Sequence, residues 1–349
     1  MSGIERIDAF QILDSRGNPT IACRVHLTDG TEGWAYVPSG VSRGKREAVE
    51  LRDGLPHYRG LSVQKAIDNI HHHIRPHLIG LEVTEQKKID DILRQLGGAQ
   101  KKKLGGNATL AVSLACCVSA SASLHIPLFQ YVNRFFPDIS PAFPVPIFNI
   151  VNGGAHGAGG LDIQEFWIVP GKIATITEQI RAGVEIYHTL RQMVKDARLF
   201  YGLGDEGGLL LPTFRSPEVL SLIQQACARA GYDFSSGGIL LGLDVAGSHL
   251  LSPKGYRLDG FLYSSRGLIS LYKHWAEKYS LQLLEDPMAE DDVEGWKQLT
   301  QALGTRMILI GDDIFATQAS QLKWAQQTGI ANAILIKPNQ VGTLTETVE

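Results

Sequence analysis

From about residue 143 onward, the sequence alternates short apolar runs with longer amphipathic segments. Two of these segments are "TITEQIRAGVEIYHTLRQMVKDA" and "SPEVLSLIQQACARAG", in which apolar residues recur every three or four positions, as on one face of a helix. Apolar runs that alternate with such helices are typical of repeated strand–helix units. Because strands joined by helices run parallel, we expect this region to form a parallel sheet or a barrel.

The first 140 residues follow a different pattern. Up to residue 37, apolar and polar residues alternate in short runs broken by "DSRGNP" and by the Asp29-Gly30 turn signal, which is typical of an antiparallel meander. Three helical patterns follow, at about 63–78, 84–96 and 108–123. We therefore expect an α/β chain with an N-terminal α+β domain, residues 1–140, and a barrel domain, residues 141–349.

Composition and charge exclude several partners. The 349 residues are 44% hydrophobic, which is ample for a sizeable core, and their formal net charge of −3 offers no basic field for nucleic acid. The apolar stretch "NATLAVSLACCVSASASLHIP" is interrupted by four serines, so we interpret it as a buried helix and expect no membrane span.

The cysteines and the N-terminus indicate a compartment. The four cysteines show no CxxC spacing, and two of them, Cys116 and Cys117, are adjacent in a helical pattern, which favours reduced, buried thiols. The opening "MSGIERIDAF" lacks the apolar core of an export signal. Both features predict a cytoplasmic protein.

Charged residues directly follow four apolar runs of the second region. The runs are "ILLGLD", "LQLLED", "MILIGDD" and "AILIK", and the charged positions are Asp244, Glu285, Asp312 and Lys337. The gaps between them are 41, 27 and 25 residues, the last two each close to one strand–helix unit. Because the carboxyl ends of barrel strands surround one mouth, these side chains are expected to converge on a single site.

One acid after a strand is most simply the N-cap of the next helix. Three acids in register favour a different interpretation. Carboxylates that converge in a partly buried mouth repel one another unless a cation lies between them, and oxygen ligands suit a hard ion such as Mg²⁺. The pattern therefore predicts a metal site formed by Asp244, Glu285 and Asp312.

Lys337 stands at the end of the last apolar run, directly before Pro338. A free lysine has a pKa of about 10.4, but partial burial or a neighbouring divalent cation favours the neutral form, which accepts a proton. We therefore interpret Lys337 as a candidate general base. The alternative is a structural salt bridge from Lys337 to Asp312 or Glu285.

Two glycine-rich segments hold further candidates. "LGDEGG" sets Asp205 and Glu206 among glycines, which permits a tight turn close to a ligand, although alone it is equally consistent with a surface turn. "NGGAHGAGGLDIQEF" holds His156 in a loop, with Gln164 and Glu165 at the start of the next strand. A third loop, "PSGVSRG", offers Ser39 and Ser42 in a segment of the kind that closes over substrates.

Taken in order, these motifs resemble the enolase family. The segments that carry the resemblance are "DSRGNPT", "PSGVSRG", "EAVELRDG", "NGGAH", "QEF", "GDEGG", "LDVA", "EDPMAEDD", "GDD" and "ILIKPNQVGTLTET". They run from about residue 10 to the end of the chain. The resemblance implies an α/β fold with an enolase-like TIM-type barrel after an N-terminal α+β domain.

The resemblance also implies a reaction, the reversible glycolytic dehydration of 2-phosphoglycerate to phosphoenolpyruvate. In that reaction Lys337 takes the proton from C2 and Glu206 protonates the departing C3 hydroxyl. His156, Gln164 and Glu165 then lie at the substrate.

Two Mg²⁺ ions per active site are implied as well. Asp244, Glu285 and Asp312 hold one of them against the substrate carboxylate, and the second binds the phosphate with help from Ser42. The family forms homodimers, largely through the N-terminal domain and neighbouring barrel elements.

Some positions depart from the family pattern. Val41 and Arg43 replace an alanine and a threonine of the serine-containing loop, "VAGSH" at 245–249 replaces Cys-Ala-Ser-Ser-Glu, and "LLLP" replaces Phe-Ala-Pro-Asn. None of these changes removes a proposed ligand. The family pattern also continues beyond "GTLTET" through a His-Arg-Ser segment that binds substrate phosphate and a second active-site lysine.

Six barrel strands are predicted in this sequence, whereas a closed barrel has eight. They lie near residues 144–151, 163–169, 239–244, 281–285, 307–312 and 332–337. We therefore expect a barrel that is incomplete at the C-terminus, with little turnover by this chain alone. The alternative function is a truncated, inactive enolase-like protein with a structural or surface-binding role; "GDEGG" and "NGGAH" disfavour other members of the superfamily.

Overall fold

A computed structural model of the chain describes residues 2–40, 44, 46–54, 56–157, 160–234 and 238–349. Its strands are Ile4–Leu13 (β1), Pro19–Leu27 (β2), Glu32–Tyr36 (β3), Phe148–Asn152 (β4), Glu165–Val169 (β5), Gly202–Leu203 (β6), Leu209–Leu210 (β7), Leu240–Asp244 (β8), Leu251–Ser252 (β9), Gly255–Leu258 (β10), Phe261–Tyr263 (β11), Leu281–Glu285 (β12), Ile308–Gly311 (β13) and Ala333–Ile334 (β14).

The α-helices are Gln64–Asn69 (α1), Arg75–Leu78 (α2), Gln86–Gly97 (α3), Gly106–Ser123 (α4), Leu128–Asn133 (α5), Ile176–Asp196 (α6), Ser216–Arg229 (α7), Gly247–Leu250 (α8), Ser265–Tyr279 (α9), Val293–Leu303 (α10), Ala319–Thr328 (α11), Pro338–Val341 (α12) and Leu344–Val348 (α13). A π-helical turn, Ile70–Ile74, joins α1 to α2. The three helical patterns of the N-terminal region are thus confirmed.

The chain divides into two compact units. The first contains Met1–Ala142, Ala316–Ser320 and Ile336–Glu349, and the second contains Phe143–Phe315 and Gln321–Leu335. The domain limits 1–140 and 141–349 stay a prediction. The structure adds that the last residues of the chain pack with the first unit.

The first unit is built on the predicted antiparallel meander. Strand β2 pairs with β1 on one side and with β3 on the other. Helix α4 lies so close to β3 that a methyl group on Gly33 would overlap the backbone of Ser119, and the Ser119 hydroxyl donates to the carbonyl of Val25 at 3.1 Å. A glycine in the strand therefore permits the close packing of helix on sheet.

Helix α4 is also the one described helix that is long and apolar enough to cross a membrane, judged by length and composition. In the structure, 78% of that helix is buried. Its buried residues, which include Cys116 and Cys117, form part of the hydrophobic core of the first unit together with the inward side chains of β1 and β2. Burial of this kind is typical of a core helix.

The second unit contains an eight-stranded sheet in the order β14-β13-β12-β8-β5-β4-β7-β6. Strands β8, β12, β13 and β14 run parallel to one another, but β5 runs antiparallel to both β4 and β8. Strand β5 is therefore an exception to the parallel arrangement expected of strand–helix units. The physical reason is the connection between β4 and β5. Its described residues, 153–157 and 160–164, contain a 3-10 turn, Gly154–His156, and no crossover α-helix, and a short connection gives an antiparallel pair.

Strand β7 was not predicted. It has two residues, Leu209 and Leu210, which pair in parallel with Val151 and Asn152 of β4. So short a strand leaves no apolar run that distinguishes it from a loop. The hairpin that it forms with β6 places the "GDEGG" turn at the edge of the sheet.

Two predicted strands are shorter than expected. The first begins at Phe148 rather than near residue 144, because Pro144 and Pro146 have no backbone N–H to donate to a neighbouring strand. The last ends at Ile334, although Leu335 still donates its N–H to Gly311 at 3.0 Å. The final apolar run, expected to be buried, is half-buried there.

Candidate active site

The three acids proposed as metal ligands lie at the ends of neighbouring strands. Asp244 is the last residue of β8 and Glu285 is the last residue of β12, and the two are directly paired in register. Asp312 follows the end of β13, the next strand of the sheet. All three are buried, with exposures of 5%, 5% and 7%. The structure therefore places these carboxyl groups at the carboxyl-terminal end of the sheet, and their role as metal ligands stays a prediction.

Like charges surround the Asp244 carboxyl. It accepts hydrogen bonds from Nε2 of Gln164 at 2.7 Å and from the backbone N–H of Ala246 at 3.0 Å. Burial, together with the charges of Glu165 and Asp312, raises its pKa to about 7, against the opposing effect of these hydrogen bonds. A carboxyl group in such surroundings is stabilised in its charged form by a cation.

Asp286, which the sequence analysis did not single out, joins this group. Its two carboxylate oxygens accept the backbone N–H groups of Asp312 at 3.0 Å and Asp313 at 2.8 Å. Burial raises the pKa of Asp286 well above its ordinary value, and the nearby Asp313 and Asp312 charges add to the effect. The signal that could have found it is the doublet of acids in "LQLLED". Because adjacent side chains of a strand point in opposite directions, the second acid needs a partner other than the one that Glu285 faces.

A second cluster combines the candidates of the two glycine-rich segments. Nδ1 of His156 lies 2.9 Å from Oε1 of Glu165 and 3.5 Å from Oε2 of Glu206, so a histidine stands between two carboxylates. Nδ2 of Asn149 donates to Oε2 of Glu206 at 2.9 Å, and the Trp167 indole donates to Oε2 of Glu165 at 2.6 Å. Sequence reasoning missed Asn149, because an asparagine on a strand carries no pattern of its own.

The three groups of this cluster divide their protons unequally. Burial alone would lower the pKa of His156, but its hydrogen bonds to Glu165 and Glu206 raise it to about 10. The hydrogen bond from His156 lowers the pKa of Glu206 to about 2, whereas burial raises the pKa of Glu165. The cluster thus holds a charged imidazolium beside one ionised carboxylate and one carboxyl that retains a proton more readily.

The "GDEGG" turn has the tight geometry that its glycines predict. The N–H of Gly204 donates to Gly208 at 2.9 Å, and Gly207 has a φ of +86°, which favours glycine. A methyl group on Gly204 would come within 2.7 Å of Oδ1 of Asn152, and one on Gly208 would overlap the same amide. The glycines therefore let the turn close over a buried asparagine and hold Glu206 beside His156.

Three further residues proposed from the sequence are Ser39, Ser42 and Lys337. Ser42 lies outside the described residues, whereas Ser39 is anchored by its Oγ, which donates to Glu50 at 2.9 Å, and by its carbonyl, which accepts from Arg16 at 2.7 Å. Lys337 belongs to the first unit. It is half-buried and extended, and its backbone N–H donates to Oγ1 of Thr317 at 2.9 Å.

Comparison with known proteins identifies the family. The model described as "Enolase, N-terminal domain" matches residues 4–132, and the model described as "Enolase, C-terminal TIM barrel domain" matches residues 140–349. The chain belongs to the enolase family. It is accordingly a glycolytic lyase of the phosphopyruvate hydratase type, and the family implies a small-molecule substrate and a divalent metal ion.

Individual relatives agree with this assignment. A protein named enolase from Bdellovibrio bacteriovorus is 44% identical over 351 residues, which cover 100% of this chain and 82% of the relative. Another from Anaplasma phagocytophilum is 42% identical over 348 residues, which cover 99% of this chain and 80% of the relative. The enolase-like barrel and the N-terminal α+β domain inferred from the motifs are therefore confirmed.

Proposed function

We propose that this chain catalyses the reversible, Mg²⁺-dependent dehydration of 2-phosphoglycerate to phosphoenolpyruvate. The observation that carries the proposal is the row of buried carboxyl groups, Asp244, Glu285 and Asp312, at adjacent strand ends of an enolase-family barrel. Their only ligand atoms are oxygens, and the pKa of Asp244 is raised by burial and by its acidic neighbours. This donor set fits Mg²⁺, which prefers carboxylate oxygens.

When bound, the two Mg²⁺ ions of the family would supply positive charge that stabilises the negative charge developing on the substrate. In the proposal, Asp244, Glu285 and Asp312 hold one ion, and Ser42 contributes to the other. Gln164, which already donates to Asp244, orients that carboxylate and contacts the substrate.

The proposed proton transfers use two different groups. Nζ of Lys337 takes the proton from C2, and this role rests on the sequence resemblance. Glu206 passes a proton to the departing C3 hydroxyl, and this role rests on the sequence resemblance. Because Glu206 is ionised beside His156, the proton that it passes on comes from the cluster, where His156 is charged and the pKa of Glu165 is raised. A reaction that adds and removes a proton in both directions needs such a cluster to change protonation reversibly.

Phosphoenolpyruvate formation, measured with Mg²⁺ and with a chelator, tests the proposal for the purified chain and for a version that carries an enolase C-terminal segment, because little turnover is expected of the chain alone. Glu285→Gln should weaken Mg²⁺ binding and lower turnover together, because it removes one buried carboxylate charge. Glu277→Gln, an exposed change on α9, is the matched control and should alter neither. Unchanged Mg²⁺ titration and turnover in the Glu285 variant would contradict the proposed metal site.

We also propose that the protein is a cytoplasmic homodimer. The family resemblance supports the dimer, and four free, buried cysteines suit a reducing compartment. Light scattering on the purified protein would give the mass of the assembly, and fractionation of the source cells would locate it.

A further inference from the structure

Asp286 connects the ends of three neighbouring strands through its own backbone and side chain. Its N–H donates to the carbonyl of Ile310 in β13 at 3.0 Å, and its carbonyl accepts the N–H of Gly247, just after β8, at 2.8 Å. Its carboxylate accepts the N–H groups of Asp312 and Asp313. The residue, which directly follows β12, therefore makes hydrogen bonds to β13 and to the segments that follow β8 and β13. The three proposed ligands lie at the ends of these same strands.

The backbone of Asp286 has an uncommon conformation. Its φ is +40°, in the left-handed region, which few residues other than glycine adopt and where asparagine and aspartate are the most frequent exceptions. Residues persist there when the surrounding contacts impose the conformation, and such residues are frequent beside active sites. At Asp286 this conformation turns the side chain from the end of β12 towards the backbone that follows β13.

The carboxylate of Asp286 is already committed to these N–H groups. Each oxygen accepts one of them at hydrogen-bonding distance, and the residue is 5% exposed. Because its two oxygens hold two consecutive N–H groups, those of Asp312 and Asp313, the carboxylate determines the path of the main chain at Asp312 and hence the direction of the Asp312 side chain. This is the part that groups behind the ligands play in metal sites generally.

We propose that Asp286 is a positioning residue that fixes the main chain after β13 and thereby orients Asp312 for metal binding. The inference rests on the proposed function, because it takes Asp312 as a metal ligand. It assigns no direct contact with metal or substrate to Asp286.

Two substitutions separate the carboxylate from the backbone conformation. Asp286→Asn keeps the shape and tolerates a positive φ, but it turns one acceptor oxygen into an NH₂ group that faces a backbone N–H. Asp286→Gly adopts the positive φ freely and removes both acceptors. If Asp286 acts as a positioning residue, both variants should bind Mg²⁺ more weakly, even though glycine adopts the positive φ without strain.

The matched control is Asp292→Asn. The Asp292 carboxylate also accepts a backbone N–H, that of Gly295 at 2.9 Å at the start of α10, and it accepts hydrogen bonds from the hydroxyls of Tyr256 and Ser265. Its substitution should lower thermal stability without changing the orientation of any proposed ligand.

Mg²⁺ binding to the metal-free full chain, followed by titration calorimetry without substrate, is the deciding measurement. We expect both Asp286 variants to bind Mg²⁺ about 10- to 100-fold more weakly than the unchanged protein. The Mg²⁺ concentration for half-maximal turnover should rise accordingly, and kcat should recover at saturating Mg²⁺. Asp292→Asn should lower the melting temperature and leave Mg²⁺ affinity unchanged.

Three results would overturn the inference. Mg²⁺ affinity in Asp286→Asn equal to that of the unchanged protein would show that Asp312 needs no such support. If Asp292→Asn lowers the melting temperature as much as the Asp286 variants do and loses as much Mg²⁺ affinity, the loss of affinity follows from general destabilisation. Complete loss of binding in both Asp286 variants, matching Asp312→Asn and not recovered by excess Mg²⁺, would make Asp286 a ligand.

The same experiment separates this inference from the proposed function. If the unchanged protein binds Mg²⁺ and forms phosphoenolpyruvate while the Asp286 variants behave identically to it, only the inference fails. If the unchanged protein neither binds Mg²⁺ nor forms phosphoenolpyruvate, the proposed function fails and the inference falls with it.

Discussion

Asp244 and Glu165 are directly paired across two antiparallel strands, and the pKa of each is raised above its ordinary value. Two further acids, Asp286 and Asp312, lie within the same electrostatic neighbourhood. The barrel unit thus holds several buried carboxyl groups close together, although their mutual repulsion is unfavourable for the stability of the fold. Such perturbed groups are frequent in active sites because the substrate or the metal supplies the missing charge.

The division of labour between Lys337 and Glu206 is testable residue by residue. Lys337→Ala should reduce exchange of the C2 proton of 2-phosphoglycerate with solvent by roughly 10²- to 10⁴-fold, because the proposed base is lost. Glu206→Gln should leave exchange measurable and stop dehydration, since it affects only the departure of the C3 hydroxyl. Deuterium incorporation followed by NMR distinguishes the two steps; loss of exchange in the Glu206 variant alone would reverse the assignments.

The charge of His156 predicts a dependence of stability on pH. Its pKa is about 10 in the folded chain against an ordinary 6.5, so its charged form stabilises the fold fully below about pH 6.5. That contribution is lost as the pH rises through about 10. His156→Gln should therefore lower the free energy of unfolding by about 2 kcal/mol at pH 6, and the deficit should shrink towards pH 10.

Urea unfolding of the metal-free protein at several pH values measures this deficit. His274→Gln, an exposed histidine on α9, is the control and should show a deficit near zero throughout. A deficit for His156→Gln that stays constant from pH 6 to pH 10 would show that the imidazolium is not what the carboxylates stabilise.

At the scale of elements, the close approach of helices to strands rests on small residues. Gly183 of α6 lies against β4 so closely that a methyl group would overlap the ring of Phe148. Gly267 of α9 lies in a looser environment, where the nearest atom to such a methyl group would be 3.4 Å away. Both residues are helical glycines, but there is space for a methyl group only at Gly267.

Alanine at these two glycines should have opposite effects. Gly183→Ala should destabilise the second unit by about 1–3 kcal/mol, because the helix or the Phe148 ring must shift. Gly267→Ala should be neutral or stabilise by up to about 1 kcal/mol, since alanine is the better helix former. Denaturant unfolding of both variants checks the signs, and equal effects would mean that α6 repacks at no cost.

At the scale of the whole molecule, the chain returns to the N-terminal unit after building the barrel strands. Leu344 of α13 is buried in the core of that unit, and Thr345 donates to Asp90 of α3 through both its N–H at 2.8 Å and its hydroxyl at 2.6 Å. Nζ of Lys101 pairs with Glu346 at 2.7 Å. The unit is thus completed by residues more than 200 positions away in sequence.

Leu344→Ala should therefore destabilise the first unit selectively, by about 2–3 kcal/mol, the usual loss for a buried leucine. Hydrogen exchange followed by mass spectrometry should show weaker protection in α3 and α4. Protection of β8 and β12 in the second unit should be unchanged. An equal loss of protection in both units would mean that they unfold as one cooperative block, and unchanged protection in α3 would show that α13 does not support the unit.

Several features were readable from the sequence because local physical chemistry encodes them. Hydrophobic periodicity located α3, α4 and α6, and turn residues located the meander of β1 to β3. The charged residues after apolar runs identified the strand ends at Asp244, Glu285 and Asp312, since a strand that is buried on both faces must place its first charge where it leaves the core.

Other features depended on contacts between distant parts of the chain. The antiparallel direction of β5 follows from a short connection whose described residues contain no α-helix, and strand β7 is too short to carry any pattern. The pairing of His156 with Glu206 joins residues 50 positions apart, and the hold of Asp286 on the backbone of Asp312 exists only because β12 and β13 are neighbours. Periodicity and turn chemistry act within a few residues, whereas these contacts require the complete sheet, so only the tertiary structure decided them.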